Sequence, residues 1–207
     1  MEAKTLNEVR LNGTVESEKE VSHNIYGEMF YKFRISVNRL SGTNDVLPIT
    51  VSERLLDNTD ISVGREVSVF GQLRSYNMMI DGVSRLVLTI FCKSITDGEA
   101  LPNEIKLTGY ICKPCTYRIT PFGREITDVL VAVNRSYNKS DYIPCIVWGR
   151  NARYASNFQV GDMVSILGRV QAREYEKQHD NGEIEKRVAY EVSVSKIEKV
   201  ETQPVDN

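Results

Sequence analysis

Val133-Asn134-Arg135-Ser136-Tyr137-Asn138-Lys139-Ser140-Asp141-Tyr142-Ile143-Pro144-Cys145-Ile146-Val147-Trp148 reads as the end of one strand, a polar turn and the whole of the next strand. Side chains alternate between faces along an extended strand. One face of the second strand carries Tyr142, Pro144, Ile146 and Trp148, and the other carries Ile143, Cys145 and Val147. The second set suits a barrel interior. The first puts two aromatics outside, roughly 20 Å apart at about 3.3 Å per residue. Arg135, Lys139 and Arg150 lie close to them in sequence. Exposed aromatics beside cations suit a flexible polyanion with flat bases, which is single-stranded nucleic acid.

Working outward, the same pattern occurs earlier in the chain. Asn7 to Gly13 matches Asn103 to Gly109 at an offset of 96, as do Val37-Asn38-Arg39 with Val133-Asn134-Arg135 and Leu47-Pro48 with Ile143-Pro144. Val63-Gly64 and Gly71 match Val160-Gly161 and Gly168 at 97, and Ile95 matches Ile197 at 102. This is a tandem duplication, with the late drift placing an insertion near the last hairpin of the second copy. Each copy reads as a first strand through its first glycine (Asn7 to Val15; Asn103 to Ile111), a turn-rich loop containing Thr120-Pro121-Phe122-Gly123 in the second copy, a second strand ending in Val-Asn-Arg, and a third strand with the Pro48 or Pro144 pair. A short helix follows, clearest at Asn151 to Phe158, where Ala152, Ala155 and Phe158 have helical spacing. A fourth strand (Glu66 to Tyr76; Asp162 to Tyr175) carries Gly71 or Gly168, placed as at a barrel corner. The turns Asp81-Gly82 and Asp180-Asn181-Gly182 lead to a fifth strand (Arg85 to Ile95; Arg187 to Ile197).

Five strands with a helix between the third and fourth is the OB-fold order. The chain is therefore expected to be all-β: two tandem five-stranded OB-fold Greek-key barrels, each with a short helix between strands 3 and 4. Residues 1–97 form the first domain, 98–102 a linker, 103–200 the second domain and 201–207 a short polar tail. The two prolines fit an open edge of such a barrel, since proline cannot donate to a ladder.

Composition agrees with a soluble globular protein: 41% hydrophobic and 26% charged residues. The longest apolar run, Val129 to Val133, is far too short for a membrane span. The polar N-terminus is no signal peptide, so a cytoplasmic location is expected. Residues 1–100 hold 11 Lys and Arg against 14 Asp and Glu, and residues 101–207 hold 15 against 14. The second half is the better candidate for meeting phosphate. Cys112-Lys113-Pro114-Cys115 is a CxxC, the spacing of a redox pair or half a zinc site. No second CxxC completes a tetrad, and His23 and His179 sit in polar loop sequence. Reduced thiols are the simpler reading, with Cys92 and Cys145 as small core residues. No metal or cofactor is expected. Asp141, Asp162 and Glu174 have no metal-ligand spacing and the glycines form no phosphate loop, so no enzyme is expected.

The second copy resembles bacterial single-stranded DNA-binding proteins of the OB type. The resemblance rests on Asn103, Ile105, Leu107 and Gly109; Tyr117-Arg118, Thr120-Pro121 and Gly123; Ala132 to Arg135; Asp141 to Gly149; Gly161 to Arg169; and Arg173 with Tyr175. These span nearly all of residues 103–198. The first copy resembles the same family more weakly. The resemblance implies base stacking on Tyr137, Tyr142, Trp148 and Tyr175, and phosphate contacts from Lys113, Arg118, Arg135, Lys139, Arg150, Arg153, Arg173 and Lys177. It implies a homodimer presenting four barrels, a nucleoid-associated location, and a role in replication, recombination and repair. An RNA partner stays open, because stacking does not sense the 2′-hydroxyl.

The first copy has Ser41, Val46, Ser52 and Met78 at the four stacking positions, none aromatic. It is either a structural and dimerisation half, which its negative balance favours, or a weak binder through Arg34, Arg39, Arg54 and Arg74 with Tyr31 and Tyr76. Glu104 stands where the family commonly has a basic residue. The acidic-tipped tail that recruits replication enzymes in the family is not expected here. A primosome-type (PriB-like) assembly module, its two barrels mainly contacting protein, is the alternative reading.

Overall fold

The computed structural model describes residues 5–201 except 40, 58, 81, 100–101 and 179–181. Asp81 and Asp180-Asn181 of the expected turns, His179, part of the expected linker and residues 202–207 of the tail lie outside the described residues. The first half contains β1 (Leu6–Val15), β2 (Glu20–Ile25), β3 (Glu28–Asn38), β4 (Asn44–Ser52), a 3₁₀ turn (Glu53–Leu55), β5 (Glu66–Ile80) and β6 (Val83–Asp97). The second contains β7 (Glu104–Ile111), β8 (Thr116–Ile119), β9 (Glu125–Arg135), β10 (Lys139–Trp148), α1 (Gly149–Ala155), β11 (Met163–Gln178) and β12 (Ile184–Lys199). No helix among the described residues is long and apolar enough to cross a membrane.

Pairing closes a ring in each half. β1 pairs with β5, β5 with β6, β6 in parallel with β4, β4 with β3, and β3 back with β1. The second half repeats this as β7–β11–β12–β10–β9–β7, with β12 and β10 parallel. This is the OB barrel. Alternation fills the interior as expected: Leu47, Ile49 and Val51 of β4 and Ile143, Cys145 and Val147 of β10 are fully buried. Pro48 and Pro144 each lie just before the short parallel contact begins, at Ile49 and Cys145, where a missing N–H costs no ladder bond on that side.

Two departures from expectation concern surface elements. The turn-rich loop is a hairpin arm, with β2 pairing with β3 and β8 with β9. All residues of β2 and β8 are exposed, so no buried alternation marks them. The helix spans Gly149–Ala155 instead of reaching Phe158, and a 3₁₀ turn takes its place in the first half. Phe158 is still buried, its ring edge-on to Tyr154 at 4.8 Å.

The repeated glycines and asparagines have structural roles. At Gly71 and Gly168 the register shifts, and an added Cβ would lie 2.4 Å from the Phe91 or Ser193 carbonyl oxygen. The backbones approach too closely there for any side chain. Just beyond, the Asn7 side chain donates to the Leu73 carbonyl (2.8 Å) and accepts from its N–H (2.9 Å). Asn103 does the same to Val170, at 2.9 and 3.1 Å.

The halves meet about a pseudo-twofold. β1 and β7 run antiparallel with Val9 opposite Ile105, its own counterpart in the duplication. Away from this axis the contacts are reciprocal. The Asp45 carboxylate accepts from the Ala172 N–H (2.7 Å), and Asp141 accepts from the Ser75 N–H (2.9 Å). Arg39 pairs with Asp45 and also donates to the Ala172 carbonyl (3.0 Å), while Arg169 reaches Asp45 at 3.3 Å. On the other side, Arg135 lies 3.7 Å from Asp141, and the Tyr142 N–H donates to the Ser75 hydroxyl (2.7 Å). Burial pushes the Asp141 carboxyl above its ordinary value, opposed by the Ser75 N–H, Arg135 and Arg74.

Replacing Asn7 by Ala strands a buried backbone N–H and C=O. The expected loss is about 1–3 kcal/mol in urea unfolding, with Asn103→Ala matching it.

Candidate nucleic-acid interface

The four aromatics singled out by the resemblance are all on the outside of the second half. Tyr137, 95% exposed, sits at the tip of the β9–β10 hairpin with φ of 63°. A bulky residue in this left-handed region is unusual, and Asn138 beside it (φ 54°) suits it better. Tyr142 is 46% exposed on β10, where that strand has left β12 and meets Ser75 of the first half. Trp148 closes β10, 36% exposed, with its indole N–H donating to the Ser193 hydroxyl at 3.2 Å. That bond fixes the ring edge and leaves a face for contact. Tyr175 lies on the outer part of β11, with the Arg173 guanidinium 5.6 Å from its ring centre.

The eight cations divide into two groups. Arg118 is bonded to Asp128 (2.6 and 3.1 Å), Arg153 to Glu125 (2.8 Å), Arg173 to Glu191 (3.1–3.3 Å), and Arg135 faces Asp141. Lys113, Lys139, Arg150 and Lys177 have no ion-pair partner among the described residues and are exposed. Lys113 follows β7, Lys139 begins β10 beside Tyr137, Arg150 opens α1 after Trp148, and Lys177 lies two residues beyond Tyr175.

Trp148, Arg118 and Arg173 share one groove of about 370 Å³ with Arg39, Arg124, Arg169 and Glu191. Arg39 and Arg169 share Asp45, Arg118 holds Asp128 and Arg173 holds Glu191, so the groove beside Trp148 keeps a net positive balance, with Arg124 lacking an ion-pair partner among the described residues. Three of these arginines were not among the expected cations of this face. Arg124 was legible in principle, since it stands immediately before β9, two residues ahead of Ile126, the partner of Trp148. Arg39 belongs to the first half and reaches the groove only across the seam. Lys113, Arg135, Lys139, Arg150, Arg153 and Lys177 do not line this groove.

In the first half the corresponding positions are occupied differently, although Arg34 and Tyr76 remain exposed. Ser52 is buried and donates to Glu28, and Glu28 also pairs with Arg54 at 3.4 Å. Arg74 packs over the Phe91 ring at 3.9 Å, and Phe91 lies against Phe30. Arg39, Arg54 and Arg74 are thus all engaged within the protein. Tyr31 is half-buried, with Lys19 over its ring at 5.1 Å, while Tyr76 is exposed.

Cys92 and Cys145 are core residues, and burial pushes the Cys92 thiol up to about 12 and the Cys145 thiol higher still. Cys112 and Cys115 are half-buried and free. Among the described residues no group of three or more His, Cys, Asp and Glu is placed to hold a metal.

Two closed rings joined edge to edge, one of them bearing exposed aromatics and a groove lined by arginines and Trp148, define a tandem OB-fold protein. The family model for the single-strand binding protein family matches residues 102–200. Single-stranded DNA-binding protein B of Bacillus subtilis is 32% identical over 83 residues, covering 37% of this chain and 74% of the relative. The chain belongs to the single-strand binding protein family. Single-stranded DNA-binding protein 2 of Listeria innocua is 36% identical over 81 residues, covering 36% of this chain. The match spans about half the length of that relative, at 51%. The wild-type single-stranded DNA-binding protein from Thermus aquaticus superposes with a TM-score of 0.75 over 99% of this chain and 98% of its own, at 20% identity. It shares the fold from end to end.

Burial also pushes the Cys112 and Cys115 thiols above their ordinary value, so thiol titration at pH 8 is expected to find these two reacting slowly, yet ahead of Cys92 and Cys145, which stay protected until denaturant is added. Four thiols reacting together in the native protein would contradict this placement.

Proposed function

We propose that this chain binds single-stranded DNA with little sequence preference and shields it during replication, recombination and repair. The observation that carries this reading is the aromatic set: Tyr137, Tyr142, Trp148 and Tyr175 are all exposed on one half, and all four are non-aromatic in the duplicate. Family membership supports it. Each base stacked on an aromatic contributes about 1–3 kcal/mol, and every base has a π-face, so such binding tolerates any sequence.

Lys113, Lys139, Arg150 and Lys177 meet phosphates first, because they release no protein partner in doing so. Arg118, Arg135, Arg153 and Arg173 exchange a carboxylate for a phosphate and contribute less. Residues 103–200 act as the binding domain and residues 1–97 as its structural partner, joined through 98–102. Two such chains as a homodimer present four barrels. The altered outer face of the first half, with Glu28 paired to Ser52, supports the division of labour.

Titration with oligo(dT) at low salt is expected to quench Trp148 fluorescence. Trp148→Ala and Tyr142→Ala each weaken binding by about 1–3 kcal/mol. With Arg124 included, about five unpaired cations predict a slope of log K against log salt of about −3 to −4, at roughly −0.7 per phosphate. Neither quenching nor a gel shift with dT oligomers would overturn the reading.

A further inference from the structure

Phe122 stands at the tip of the β8–β9 arm, 91% exposed. A single exposed aromatic is ordinary, but three observations set this one apart. The first is its position. Phe122, Thr120, Arg124 and Trp148 together line a cleft of about 470 Å³, within the range of about 300–1,000 Å³ common for small-ligand sites. The arm thus brings a second ring to the space beside the Trp148 indole.

The second is stiffness. The Thr120 N–H donates to the Arg124 carbonyl (2.8 Å), the Gly123 N–H to the Thr120 carbonyl (2.8 Å), and the Arg124 N–H to the Thr120 hydroxyl (3.1 Å). Pro121 sets φ at the start of the turn, and Gly123 takes the left-handed φ of 73° that closes it. The ring is presented on a braced support, so little order is lost when something stacks on it.

The third is the duplicate. At the offset of 96, Tyr26 and Gly27 stand for Phe122 and Gly123, and Tyr26 is fully exposed. The arm tip therefore keeps its aromatic in both halves. What changes is the floor: Ser52 replaces Trp148 and Glu28 replaces Arg124, and these two are hydrogen-bonded to each other. The floor beneath the arm is aromatic and cationic in the second half, whereas in the first it is a Ser52–Glu28 pair with Arg54 on the carboxylate.

We propose that Phe122 and Trp148 hold one base between them, with Arg124 at the adjoining phosphate, so that the arm supplies a fifth stacking platform outside the barrel. This rests on the single-stranded DNA reading above. Tyr26 has no such partner and contributes nothing to the same binding.

The test compares wild type, Phe122→Ala, Phe122→Trp, Tyr26→Ala and Trp148→Ala on a dT oligomer and on an abasic deoxyribose-phosphate oligomer of equal length. Phe122→Ala is expected to weaken dT binding about tenfold, Phe122→Trp to restore it, and Tyr26→Ala to match wild type. On the abasic oligomer Phe122→Ala and wild type bind alike. The inference is overturned, and the single-stranded DNA reading kept, by any of three results. These are Phe122→Ala binding dT within twofold of wild type while Trp148→Ala weakens it, equal losses on both oligomers, or Tyr26→Ala losing as much as Phe122→Ala. If wild type binds no dT, both readings fall.

Discussion

The antiparallel pairing of β1 with β7 sets the arrangement of everything else. It places Val9 against Ile105, residues that occupy the same position in the two copies. Two barrels joined in this way face each other about a twofold, and the carboxylate contacts off the axis occur in two versions. Asp45 and Asp141 show how far this extends. Each is almost wholly buried, and each is satisfied by a backbone N–H of the opposite half. A buried carboxylate without such donors is costly. The seam is therefore part of what keeps each half folded.

The barrels were legible because their signals are local or repeated. Alternation in Leu47 to Val51 and Ile143 to Val147 specified the interior, and the lone Gly71 and Gly168 marked the bends that the register shifts confirm. The arms were not legible as strands. β2 and β8 bury nothing, so a polar stretch such as Glu20–Ile25 carries no period to read. The seam was hidden for another reason. Asp45 and Asp141 look like turn residues in sequence, and their partners lie 127 and 66 positions away. The groove lies between these cases. Trp148 and Arg118 were expected there, whereas Arg39 arrives from the other half and only the fold could place it.

Comparison within the chain separates scaffold from surface chemistry. Asn7 and Asn103 brace their strands in the same way, and Gly71 and Gly168 allow the same close approach. The outer faces share almost nothing. Where Trp148 meets Ser193 at its edge and keeps a face open, Ser52 is turned inward onto Glu28. Arg74 lies over the Phe91 ring in the first half, and its counterpart Gln171 bonds Glu191 in the second. The symmetry of the backbone has been kept while the symmetry of the charge has been lost.

The β1–β7 ladder also has a concentration meaning. Two separate chains joined by the same strand pair would part on dilution, since each association carries an entropic cost of several kcal/mol. Here both strands belong to one chain, and each sees the other at an effective concentration set by the connecting segment, on the order of millimolar for a short tether. The pairing therefore holds at any protein concentration. A face that is altered on one side of the axis is always accompanied by an unaltered face on the other, in a fixed ratio of one to one.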